Sequence, residues 1–176
     1  MSSGVMQFEG GISTLRVWQK GQLQRLMDQG KTLQEAQSIL VPVHLSRVHN
    51  LITNAGKVLA RNWACDTEST GLTYHAIGTG TTTPANDDTA LVTEVQRKIF
   101  TNRTPSGYEV LFSCFYTAAQ CTYDIQECGI FGGAAATAAA DSGTLFSRYL
   151  QDYDNSLGNY DLTFDYVLKF KREGEA

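Results

Sequence analysis

No stretch of this sequence holds the roughly 18 consecutive apolar residues that a membrane-spanning helix needs, so no membrane association is expected. The opening MSSGVMQFEGG has no basic segment followed by an apolar one, and so does not read as a secretory signal. The expectation is a chain made and kept in the cytosol unless lysis releases it. Lysine and arginine are unclustered, and 14 basic against 18 acidic residues leave a net charge of −4. That balance lacks the electrostatic footprint of a nucleic-acid binder. The four cysteines, Cys65, Cys114, Cys121 and Cys128, have neither the CxxC spacing of a zinc site nor the density of a disulfide framework. Their default reading is buried small hydrophobes. Cys114 and Cys121, seven residues apart around Ala118 and Ala119, leave open a disulfide across a hairpin.

What the chain does hold is enough apolar matter for one core, with 42% hydrophobic and 10% aromatic residues over 176 positions. Residues 12–27 read either as a hairpin turning at Lys20-Gly21 or as a strand followed by a helix from Gln22. Thr32 and Glu35 form a capping box ahead of Leu33, Ala36, Ile39 and Leu40, which fall on one helical face that Pro42 ends. After a strand over 43–51, Thr53 or Asn54 caps a second helix. From Tyr74 the period becomes two, with strands expected near 74–77, 91–100, 108–117, 123–131, 144–150 and 160–170. The last alternates Tyr160, Leu162, Phe164, Tyr166, Leu168 and Phe170 against Asp161, Thr163, Asp165, Lys169 and Lys171, which implies one buried and one wet face. The 108–117 strand is apolar on both faces and reads as central. Residues 132–143, GGAAATAAADSG, read as a loop too poor in anchors to pack alone, mobile or held by a neighbouring subunit. The predicted fold is an antiparallel β-sandwich with one or two short N-terminal helices. Residues 1–45 form an assembly arm, 46–171 the sandwich and 172–176 a charged tail.

The most patterned stretch, 77–97, carries Gly78, Gly80 and Pro84 in a loop that runs into a strand with Leu91, Glu94 and Arg97. GTGTTT lacks the Lys-Ser/Thr of a phosphate loop and the third glycine of a dinucleotide site, so it reads as a structural turn. His44, His49 and His75 have no ligand spacing, and Asp87 and Asp88 read as loop caps rather than a metal site. The carboxylates of residues 152–161 lack the calcium-loop pattern and read as a hairpin loop. No serine sits in a nucleophile elbow, so no catalytic residue, cofactor or metal ligand is expected. Glu94 and Arg97, three apart on a strand, are expected on opposite faces. Any buried partner for Arg97 must then come from elsewhere, and Glu127 is one candidate.

Three segments in order, NLITNAGKVLA from Asn50, AIGTGTTTPANDDTALVTEVQRK from Ala76 and IQECGIFG from Ile125, followed by GTLFSRYL, resemble the N-terminal module of phage tail-collar fibre proteins. The resemblance covers about two thirds of the chain, judged against a typical domain length. It implies that Asn54, Gly56, Gly78, Gly80, Pro84, Leu91, Glu94, Arg97, Ile125, Glu127, Gly129 and Phe131 are fold-defining positions, as are Ala55, Thr89 and Ala90. It further implies a non-enzymatic, homo-oligomeric virion protein of the tail, neck, collar or baseplate, made in the bacterial cytoplasm and partnered by itself and other virion proteins. Unlike those fibres, this sequence ends soon after its last strand, which argues against fibre attachment as its role. A capsid decoration protein is the alternative in the same class. A small carbohydrate-binding module using Tyr149, Tyr153 and Tyr160 as stacking platforms is the alternative from another.

Overall fold

The computed structural model describes residues 6–9 and 11–172, with side chains described for 11–170. The charged tail 172–176 thus falls almost wholly outside the described residues. In chain order the elements are β1 (Met6–Glu9), β2 (Ile12–Gln19), α1 (Gln22–Asp28), α2 (Leu33–Ile39), β3 (His44–His49), β4 (Leu51–Ile52), α3 (Asn54–Ala64) and β5 (Leu72–Gly78). They continue with β6 (Glu94–Ile99), β7 (Asn102–Ser106), β8 (Glu109–Tyr116), a 3₁₀ turn (Ala118–Gln120), β9 (Asp124–Gly132), β10 (Thr144–Asp154) and β11 (Tyr160–Arg172). Two antiparallel sheets result. The first, sheet A, runs β3-β2-β11-β8-β7 with β1 added beside the end of β11, and the second, sheet B, runs β4-β10-β9-β5-β6. The sandwich expected from the period-two patterning is the observed fold.

Inward side chains of both sheets make the main core, including Leu15, Val17, Ile77, Phe112, Ile130, Phe146, Phe164 and Tyr166. Helix α3 plugs one end of it. Thr53 caps the helix by accepting from the Gly56 N–H (2.9 Å) and donates its own hydroxyl to the Leu145 carbonyl (2.6 Å). Gly56 then lies so close to β10 that a Cβ would stand 2.2 Å from the Phe146 carbonyl oxygen. Trp63, two turns on, stacks on the Phe146 ring at 5.9 Å.

Four expectations are corrected here. From Ile12 onward the expected arm of residues 1–45 is part of the sandwich, because β2 lies between β3 and β11 and buries Leu15, Val17 and Trp18 at 0% exposure. After β2 the chain turns through Gly21 into helix α1, so the hairpin reading fails and the helix reading holds. The polar face of β11 is wet only towards its end, where the Lys169 side chain is 38% exposed, whereas Asp161, Thr163 and Asp165 are at most 5% exposed. They are roofed by α1 and α2, whose Leu23, Leu33 and Ala36 form a second apolar cluster with Trp18 and Phe115. Thr163 accepts from the Trp18 indole (3.0 Å), and Asp161 accepts from the Gly21 and Ala118 N–H groups (2.7 Å each). Asp165 takes bonds from Ser113, Arg16 and Gln37. Finally, Ile39 does not share the buried face of α2 with Leu33 and Ala36; it is 56% exposed. Strand β7, which sequence patterning missed, carries the Pro105 that only an edge position tolerates.

Candidate functional site

The patterned segments meet on the outer face of sheet B. Glycines 78 and 129 and Glu127 lie on neighbouring strands β5 and β9, with Gly78 opposite Glu127 in register. Loop 79–93 folds back over them. The Glu127 side chain is fully buried, and its Oε1 accepts from the N–H groups of Gly80 (3.1 Å) and Thr93 (2.8 Å), while Oε2 accepts from Val92 (3.1 Å). Arg148 of β10 completes it, with Nε and Nη2 at 2.9 and 2.8 Å from Oε2. One carboxylate thus pins both ends of the loop. Gly80 is required by this approach, since a Cβ would lie 2.5 Å from Glu127 Oε1 and from the Val92 Cβ.

Arg148 carries the network into the loop. Its Nη1 donates to Asp88 (2.7 Å) and its Nη2 to the Thr82 carbonyl (2.8 Å). Asp88 in turn accepts from the Ala85 N–H (2.9 Å), which is the loop-capping role its sequence suggests. Burial works against the Asp88 charge, but the Ala85 N–H and the Arg148 guanidinium outweigh it and hold the carboxyl below its usual value. Leu91 and Phe131 pack beside this network with Tyr74, Ala76 and Leu145. Pro84 lies in the loop beside Arg148 and His49. The Asn54 N–H donates to the Asn86 carbonyl (2.7 Å), which joins the start of α3 to the same loop. Ile125 and Gly56 are exceptions among the motif positions, since Ile125 faces inward to the main core and Gly56 packs on the Phe146 backbone.

Glu94 and Arg97 correct a further expectation. They do not face opposite sides, and Glu127 is not the partner of Arg97. Glu94 Oε1 and Oε2 take Arg97 Nε and Nη2 at 2.5 and 2.6 Å, with both side chains 2% exposed. The cause is a bulge. Ile77 pairs with Gln96 but Gly78 pairs with Glu94, so Val95 is an extra residue that inverts the alternation of β6 and brings positions three apart onto one face. Arg97 lies over the Phe131 ring at 4.3 Å and donates to the carbonyls of Thr137 (3.2 Å) and Ser142 (2.9 Å). The Asp141 N–H donates to Glu94 (3.1 Å), and the Ala134 N–H donates to Glu68 (3.0 Å). The small-residue loop 133–143 is therefore held by charges of its own chain, not left without anchors.

Between the sheets, His75 is fully buried with Nδ1 3.2 Å from the Tyr116 hydroxyl and Nε2 3.1 Å from that of Tyr149. Tyr116 donates to the His75 carbonyl (2.9 Å), so its oxygen is left to accept from Nδ1–H. Nε2 then accepts from Tyr149, which fixes the neutral tautomer. Burial pulls the imidazole down to about 3. The thiols of Cys114, Cys121 and Cys128 are free and buried, and burial pushes Cys114 and Cys121 up to about 12. Cys114 and Cys121 are not joined by a disulfide, and thiols held protonated in this way are poor nucleophiles. Tyr149 is likewise a core residue at 1% exposure, and Tyr153 stacks on His44 at 5.4 Å. The three tyrosines therefore do not form one exposed platform.

A concavity opens at the α3 end of the sandwich, a cleft of about 570 Å³ with Trp63, Phe112 and Leu168 among its apolar walls and Asp66, Glu68 and Arg103 at its polar ones. Asp66 ends α3 with a φ of 55°, its N–H bonding the Trp63 carbonyl while Thr67 bonds that of Asn62. That is the helix-terminating turn in which glycine is usual. Among the described residues no group of three His, Cys, Asp or Glu side chains is placed to hold a metal ion. Sequence reasoning missed Arg148. The available signal was a lone arginine inside an apolar strand, FSRYL, which demands a buried carboxylate. Comparison with known protein families, curated proteins and solved structures finds no match to this chain.

Proposed function

We propose that this chain is a non-enzymatic structural subunit of a tailed-phage virion, working as a homo-oligomer in the tail, neck, collar or baseplate. The observation that carries this reading is the convergence on Glu127. Two of the segments whose order resembles the tail-collar fibre module, with Arg148 of the following GTLFSRYL, meet at one buried carboxylate whose oxygens hold loop backbone and Arg148, and the first segment joins the same loop through the Asn54 N–H. Such a site has architecture as its product. A buried charge that shapes two loops costs desolvation, and a rigid loop platform for assembly is a use that repays it.

The experiment is peptide mass spectrometry of purified particles from the host that carries the gene, followed by cryo-electron microscopy of those particles. The chain is expected in the particles at the tail, neck or baseplate. Density on the capsid shell would select the decoration-protein alternative, and absence from particles while the chain is abundant in the lysate would refute the virion role.

A further inference from the structure

Five of the six buried side-chain atoms that find no hydrogen-bond partner among the described residues belong to Ser13, Asn50, Ser147 and Tyr166. They are the three hydroxyl oxygens and both amide atoms of Asn50, and none of these residues is more than 8% exposed. All lie along the seam where the chain crosses from one sheet to the other. Asn50 is the residue between β3 of sheet A and β4 of sheet B, and its N–H donates to the Gly11 carbonyl (3.4 Å). Ser13 stands opposite Tyr166 in register, and the two share the parity of the core residues Leu15 and Phe164. Ser147, opposite Ile52 of β4, shares the inner face of β10 with Tyr149.

Neighbouring groups tie them together. Burial raises the Tyr166 hydroxyl, and Ser147 and Asn50, standing beside it, work against the rise. Burial raises the Tyr149 hydroxyl too, and Ser13 opposes it in the same way. Yet none of these approaches gives Ser13, Asn50, Ser147 or Tyr166 a direct hydrogen bond. Polar groups this close and unbonded are the arrangement that a bridging molecule completes. Its chemistry follows from theirs. All four side chains are neutral, and Arg148, between Ser147 and Tyr149, is turned to the outer face by Glu127, so an ion finds no counter-charge in the seam. Each hydroxyl can donate and accept, and the Asn50 amide offers two N–H groups and a carbonyl oxygen. The occupant must do both in a small space, which is what water does. A buried water makes about three hydrogen bonds, so five atoms call for about two molecules. Asn50 and Tyr149 also line a concavity of about 370 Å³ beside Pro84, which gives the seam a way to solvent.

We infer that this seam is a built hydration site, in which about two ordered waters bridge Ser13, Asn50, Ser147 and Tyr166 across the two sheets. The site stands whether or not the chain is a virion protein. Elsewhere the sheets are joined by apolar packing, whereas here they are joined by hydrogen bonds that water carries.

The test is oxygen-17 relaxation dispersion of the solvent around the full chain, which counts waters held longer than the protein takes to tumble, together with a crystal structure of the same chain. Water density within hydrogen-bond reach of Asn50 and Tyr166 is expected, with a dispersion amplitude that drops by about two waters in Asn50→Leu. Where Asn50→Leu fails to fold, Ser147→Val fills the seam from the other sheet and should lower the amplitude in the same way. Tyr166→Phe removes a hydroxyl that water bonds, so the folding constant from urea melts should fall about fivefold. An unpaired hydroxyl in a dry seam would give the opposite sign, since its removal relieves a buried polar group. Three results would each overturn the inference: density in which Tyr166 bonds Ser147 or Asn50 directly with no water between, a dispersion amplitude unchanged in the seam-filling variant that folds, or a folding constant unchanged or raised in Tyr166→Phe.

Discussion

Glu127→Gln keeps the side-chain volume and removes one charge. Each carboxylate oxygen now faces donors: Oε1 meets the Gly80 and Thr93 N–H groups, and Oε2 meets Val92 and Arg148. Whichever way the amide settles, its NH₂ points at donors and Arg148 loses its fully buried counter-charge. Breaking a buried pair from one side costs about 3–5 kcal/mol, a large share of the roughly 5–15 kcal/mol that holds a domain folded. For a chain of this length the melting temperature should fall by about 6–20 °C. Urea unfolding followed by tryptophan fluorescence and far-UV circular dichroism gives the loss directly. Glu127→Leu with Arg148→Met should cost less than the two single changes together, because no unpaired charge remains in the core. Recovery stays incomplete, since three backbone N–H groups still lack an acceptor. A loss below about 1 kcal/mol for Glu127→Gln, well under the cost of an uncompensated buried charge, would refute the view that this carboxylate organises the site.

Three further outcomes follow from the packing. His75 has its folded value held near 3 against 6.5 when free, so the unfolded chain takes up the proton first. Stability is then full above about pH 6.5 and falls as pH drops below it, by up to tenfold in the folding constant per pH unit. Asp165, raised by burial that its Ser113 and Arg16 bonds only partly offset, works in the opposite sense and regains stability as it protonates. Acid titration of His75→Phe should lose the part of the slope between pH 6 and 4, and an unchanged slope would remove His75 as its source. Gly56→Ala drives a Cβ to 2.2 Å from the Phe146 carbonyl oxygen and should lower the urea midpoint by an amount worth about 2–4 kcal/mol. Asp66→Gly relieves a positive φ and an unfavourable dipole contact, so the monomer should gain about 0.5 kcal/mol in thermal or denaturant melts. A loss instead would show that the Asp66 side chain stabilises the single chain.

The sandwich and the helix caps were legible because they depend on local signals. Period-two burial, the Thr32–Glu35 box and the Thr53 cap each sit within a few residues of what they specify. Legibility failed wherever a distant element changed the environment of a correctly placed strand. The polar side of β11 reads as wet only until α1 and α2 are laid over it. Glu94 and Arg97 read as opposed only until the bulge at Val95 is known, and a bulge is set by pairing with β5 rather than by β6 itself. The site was half legible. Gly78 and Gly80 stood out by pattern and Glu127 through the family resemblance, but the partner that completes the carboxylate comes from β10, 21 positions away.

Glu127 and Arg97 hold two long loops mostly by gripping peptide groups, which every residue supplies alike. Glu127 reads N–H groups at Gly80, Val92 and Thr93, and Arg97 reads carbonyls at Thr137 and Ser142. Side chains between those clamps, such as the exposed alanines of 138–140, are thereby released from any duty in holding the loop's shape. The fold thus separates what must stay constant from what is free to drift. Loop 133–143 is a natural place for variation, or for a short inserted peptide displayed on a fixed base.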